Sequence, residues 1–190
     1  MADNHLRLYM VMLGCTPDGR LTEQHDIFFG IGTSLKELLP DMIAFWPEAK
    51  GQIHIDAWRE VTVADGFSIE VVERSSKTNP EQHLFFLNLG GYKKNEFEEY
   101  HYKVLTVAPT LATAIKASKE TAFYKHFGFR GATSHIDEKY GIDVDDAFKV
   151  EDILGLHLKE RYQLKITENP SAAADKLHIG YLAISKLSSM

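Results

Sequence analysis

The sequence predicts an α+β protein made by tandem duplication. Two copies of a strand-strand-helix-strand-strand unit, residues 1–78 and 79–190, would form one pseudo-twofold, mainly antiparallel sheet assembly. Three observations predict it. Leu8–Gly32 laid over Leu84–Ala108 at a shift of 76 gives 5 identities in 25 positions: Leu8/Leu84, Leu13/Leu89, Gly14/Gly90, Glu23/Glu99 and His25/His101. Ile53–Glu70 laid over Ser134–Glu151 at a shift of 81 gives 7 in 18, with His54-Ile55-Asp56 falling on His135-Ile136-Asp137. Two blocks in the same order are the mark of an internal repeat. Finally, apolar runs of strand length, bounded by glycine and proline, outnumber stretches of helical spacing.

Each element of the first unit has a local cause. Leu8–Leu13 is a short apolar run ending at Gly14, which favours a buried strand. Cys15 to Gly19 is a turn, because Pro17 fixes φ and Asp18-Gly19 tolerates a reversal. Glu23–Ile31 is a second strand. Thr33-Ser34 caps a helix, with Glu37 in capping-box position. Leu35, Leu38, Leu39, Met42, Ile43 and Trp46 continue it, with Pro40 either in its first turn or at a kink. Gln52–Val63 and Phe67–Val72 form a hairpin around Ala64-Asp65-Gly66.

The second unit repeats the plan: strands over Leu84–Leu89 and Tyr100–Val107, then a helix from Thr110 to about Phe127. A strand over Thr133–Asp137 follows. Asp143–Leu156 departs from the first unit, and Asp145 is expected to cap a short helix there. Tyr162–Thr167 and Lys176–Ile184 end the fold as strands, and Ser185–Met190 is expected to fray.

Composition removes several function classes. The chain of 190 residues is 44% hydrophobic and 25% charged, as in an ordinary globular protein. Its net charge is -6 and its basic residues are scattered, so neither nucleic acid nor an anionic membrane is an expected partner. Cys15 is the single cysteine and forms no internal disulfide. The polar start, Met1–Arg7, has no signal-peptide core, and no run is long enough to span a bilayer. A cytoplasmic protein is expected. A small molecule or a protein, including a second copy in a homodimer, is the expected kind of partner.

Leu13-Gly14, Glu23-x-His25, Trp46-Pro47, His54-Ile55-Asp56-Ala57-Trp58 and the stretch Leu87–Leu105 together resemble a bacterial family known as domain of unknown function 1543. The resemblance covers nearly the whole chain and implies a two-copy member. It implies no activity and supplies no catalytic residue.

Polar residues kept by both copies are the candidates for chemistry. Glu23 and His25, and likewise Glu99 and His101, stand two apart on a strand and so face one side. Each glutamate can orient its histidine, or both can ligate a metal, since zinc, iron and nickel accept imidazole with carboxylate. His25 and His101 are the first metal candidates. His54 with Asp56, and His135 with Asp137, repeat the geometry, with Ile55 and Ile136 turned to the core. A carboxylate beside a histidine fixes its tautomer and raises its basicity. The plainer role for all four pairs is a satisfied structural contact. Cys15 reads as a loop thiol, and Trp58, Tyr92, Tyr100 and Tyr102 as packing or pocket residues.

Two functions fit this pattern. The first is a non-catalytic binding or interaction module. The alternative is a metal-dependent small-molecule enzyme or ligand binder. From the second strand of each copy the order is strand, helix, strand, strand, strand, similar to the paired modules of the vicinal oxygen chelate fold. That resemblance implies a cup holding a divalent metal.

Overall fold

A computed structural model describes residues 5–75, 80–92, 95–118 and 143–189. His135, Asp137, their expected strand and the expected helix beyond Ser118 lie outside these residues. The elements are β1 (Arg7–Cys15), β2 (Gln24–Gly32), a 3-10 turn (Leu35–Leu38), α1 (Leu39–Phe45), a second 3-10 turn (Pro47–Ala49), β3 (His54–Glu60), β4 (Val63–Ala64) and β5 (Phe67–Glu73). They continue with β6 (His83–Tyr92), β7 (Glu99–Ala108), α2 (Leu111–Ser118), β8 (Asp143–Lys149), α3 (Val150–Ile153), α4 (Leu156–Arg161), β9 (Tyr162–Glu168), β10 (His178–Ala183) and α5 (Ile184–Ser189). The fold is α+β with few helices, and every described strand pairing is antiparallel.

By internal contacts the chain divides into one unit of Met1–Thr78 with Ile153–Met190 and another of Asn79–Asp152. This division by contact is not the division into repeats read from the sequence, because the C-terminal segment folds with the first residues.

In the first unit the sheet order is β10-β3-β1-β2, beside a smaller sheet β4-β5-β9. Tyr9, Val11, Leu13 and Cys15 alternate along β1 and are buried on one face, with Leu38 and Met42 among the buried residues of the same core. Pro40 lies in the first turn of α1, where its missing N–H costs little. Ser34 accepts from the Glu37 amide, while the Glu37 carboxylate accepts from Thr33 N and Oγ1. The capping box is therefore displaced by one residue. Asp175 accepts from Thr62 N and from Thr62 Oγ1 at 2.6 Å, fixing the approach to β10.

One irregularity organises β3. Leu13 pairs with Ile55 but Met12 pairs with Ala57, so Asp56 is an extra residue in a β-bulge. Ile55 and Trp58, three apart, both meet the core, which a strand of period two does not allow. The bulge restores the phase by turning Asp56 and Ala57 to the opposite face.

The second unit has the sheet β7-β6-β8. β6 and β7 repeat the register of β1 and β2 residue for residue at a shift of 76: Leu8 faces Ile31, and Leu84 faces Val107. β8 pairs with β6 as β3 pairs with β1, with the same kind of bulge: Leu89 faces Val144, Asn88 faces Asp146, and Asp145 is the extra residue. Val144 and Ala147 both meet the core of Phe85, Leu87, Leu89, Ala108 and Ala114.

Several expectations change. The segment at Asp143 is a strand, and the short helix begins only at Val150. The ladder gives the third strand a shift of 89, which sets His54 against Asp143 and Asp56 against Asp145. His135 and Asp137, which a shift of 81 sets against His54 and Asp56, lie outside the described residues. The long hairpin shrinks to β4 and β5, two residue pairs around Asp65 and Gly66, both with positive φ. Since β2 and β3 flank β1 while β4 and β5 join β9, the four strands do not form one chelate-type module. The tail is helical, and Leu187 is buried in the core.

Leu13 is fully buried on the central strand, whereas Leu21 is 101% exposed. Leu13→Ala is expected to cost about 2–5 kcal/mol in urea unfolding, and Leu21→Ala to stay within about 0.5 kcal/mol.

Candidate metal centre

His25, Gly14 and His54 lie in one row across β2, β1 and β3. Directly opposed residues point to the same face, here the face away from Leu13 and Ile55. Both imidazoles therefore stand over the one position in the row without a side chain. A Cβ at Gly14 would collide with Nε2 of His54 and Oδ2 of Asp56. Glu23, two residues before His25, and Asp56, expelled by the bulge, complete the group.

The four side chains close a ring. His25 Nε2 lies 3.6 Å from Glu23 Oε2 and 3.3 Å from Asp56 Oδ2. His54 Nε2 lies 2.9 Å from Glu23 Oε1 and 3.3 Å from the same Asp56 Oδ2. Charge-assisted hydrogen bonds run at about 2.7–2.9 Å, so three of the four contacts are too long to be good ones. Oδ2 of Asp56 is buried and accepts no hydrogen bond from the described residues, although a ring nitrogen of each histidine lies 3.3 Å from it. Around an ion held at about 2.0–2.2 Å, neighbouring donors are about 2.8–3.6 Å apart. The four contacts around the ring fall in that range, whereas the described group whose donor atoms all lie within 4.8 Å of one another is Glu99, His101 and Asp145.

His54 and Asp56 are the inner members, with side chains 13% and 21% exposed, and Glu23 and His25 form the open side. The Tyr181 ring lies 4.6 Å from that of His54. An open depression of about 570 Å³ borders His25 and is walled by Arg20, Phe45, Trp46 and Glu48.

The second unit has a related group. His101 faces Gly90 as His25 faces Gly14. His101 Nε2 is 3.3 Å from Asp145 Oδ2 and 4.0 Å from Glu99 Oε2. A Cβ at Gly90 would collide with the Asp145 carboxylate. Read from the sequence, Asp145 has the role of a helix cap and no part in a site. The signal that could have found it is Val144 and Ala147, three apart around two aspartates, as Ile55 and Trp58 bracket Asp56.

The remaining candidates separate from these groups. Cys15 is the buried last residue of β1 rather than a loop thiol. Burial, then the charges of Asp18 and Glu23, push its pKa up. Trp58 stacks on His178 at 3.8 Å, Tyr100 bonds Glu96, and Tyr102 is largely exposed. The side chain of Tyr92 lies outside the described residues. No helix among the described residues is long and apolar enough to cross a membrane.

Comparison with known proteins gives a family match over part of the chain and a fold. Residues 20–71 match the family Domain of Unknown Function (DUF1543), a stretch that contains all four members of the ring. The crystal structure of a protein Il1583 from Idiomarina loihiensis is similar at 21% sequence identity and a TM-score of 0.62, covering 94% of this chain and 98% of that chain. At that identity the likeness shows the fold alone. No curated protein matches the chain.

Gly→Ala in an extended strand ordinarily stabilises by about 0.5–1 kcal/mol. At Gly14 the sign should reverse, with a cost of about 1–3 kcal/mol from overpacking. NMR should show the imidazole resonances of His54 moving while those of His178 stay. For Cys15, a thiol reagent should label unfolded protein quickly and native protein hardly at all; equal rates would contradict its burial.

Proposed function

We propose that this chain, a DUF1543 protein through residues 20–71, binds a divalent transition metal in the ring of Glu23, His25, His54 and Asp56. The observation that carries the reading is the buried Oδ2 of Asp56, without a hydrogen bond from the described residues and 3.3 Å from two imidazole nitrogens. Two carboxylates brought to one face of the sheet, with two imidazoles between them, offer a cation both charge and donor atoms. Two nitrogens and two oxygens suit borderline ions such as zinc, iron, cobalt or nickel. The depression beside His25 would admit a small molecule to the ion. The related β1–β2–β3 and β6–β7–β8 registers support descent from one duplicated unit. Scattered basic residues and the single cysteine support a cytoplasmic protein whose partner is a small molecule or protein.

The reading as an interaction module rests on a separate observation. Leu177, Ile179 and Tyr181 are exposed at and beside β10, an edge strand of its sheet. Such an edge can pair with another chain, including a second copy.

Elemental analysis of protein purified without an affinity tag separates the two readings. About one transition-metal ion per chain is expected, lost when His25 and His54 are both changed to Ala with the circular dichroism spectrum unchanged. Metal-free protein that shows no saturable zinc binding after chelator treatment would sink the metal reading.

A further inference from the structure

We infer that the second unit holds its own cation site, made by Glu99, His101 and Asp145 and selective for a harder divalent ion than the first ring. One donor atom from each of the three lies within 4.8 Å of the others. The inference that a cation binds here rests on the geometry of β6, β7 and β8, and only its comparison of the two ions rests on the first ring binding metal.

Two features of the backbone support a built site over a chance meeting of charges. The bulge on β8 is the first. Val144 and Ala147 must both face the core, so the extra residue Asp145 is turned to the other face, beside His101. Gly90 is the second. It stands directly opposite His101, and its missing Cβ leaves the space that the Asp145 carboxylate occupies. Any other residue at Gly90 would drive that carboxylate away.

The donor set decides the ligand. One imidazole and two carboxylates are harder than two of each, and carboxylate with water suits manganese(II). The three donors among the described residues fill about half of a six-coordinate sphere. All three residues are exposed, so the ion would exchange readily and bind more weakly than in the first ring.

The test is titration of the full chain, untagged and stripped with chelator, with manganese(II) followed by electron paramagnetic resonance and with zinc by calorimetry. Wild type is expected to show a manganese event that His101→Ala and Asp145→Asn each abolish. The event should survive in the His25→Ala/His54→Ala double variant, which removes the tight zinc event. Gly90→Ala, whose strand backbone accepts alanine, should weaken the manganese event by about 10- to 100-fold, the range seen when groups orienting a ligand are disturbed. The inference is overturned if folded His101→Ala binds manganese as wild type does, or if wild type shows no saturable event. Loss of the zinc event alone would leave this site standing, and loss of the manganese event alone would leave the first ring standing.

Discussion

The core of the first unit demands that Ile55 and Trp58 both point inward from β3. A pleated strand meets that demand only by carrying an extra residue, and the residue it expels is Asp56. The position of that carboxylate follows from packing on the other side of the sheet. Gly14 then decides what the expelled side chain can reach, because a bare position in the row lets groups from two non-adjacent strands meet over it. The ring is thus tied to the best-buried strand of the unit, which gives its members a rigid base.

Glu23 adds a constraint of its own. It turns one carboxylate oxygen toward each histidine, Oε1 toward His54 and Oε2 toward His25. Rotation of either ring therefore disturbs both contacts. Two loop-proximal residues, Glu23 and His25, are set against two strand residues, His54 and Asp56, with the inner pair better shielded.

Much of this was legible in the sequence and some was not. The period of two placed Glu23 with His25, and His54 with Asp56, each on one face. That the pairs join depends on β1 lying between β2 and β3, and strand order in a sheet is not written in alternation. The shift of 76 between the first strand pairs agreed with the ladder because no bulge interrupts them. The segment Asp143–Lys149 is a strand where a capped helix was expected, because the match of Val63/Val144 and Phe67/Phe148 hides the phase change that the bulge introduces. Asp145 looked like a helix cap for the same reason: Asp-Asp before an apolar residue suits a cap until its partner strand is known. The terminal helix was missed although Ile184 and Leu187 have helical spacing, because the termini of domains are usually loose.

The association of Ile153–Met190 with Met1–Thr78 has a consequence for the order of events on the ribosome. β6, β7 and β8 pair with one another and can do so while β9, β10 and α5 are still unmade. The unit that begins the chain is the last to be completed, and its sheet keeps the β3 edge unpaired until the final residues emerge. The nascent protein therefore carries an open strand next to His54 and Asp56 through most of its synthesis, and translation of the last strand is what closes it.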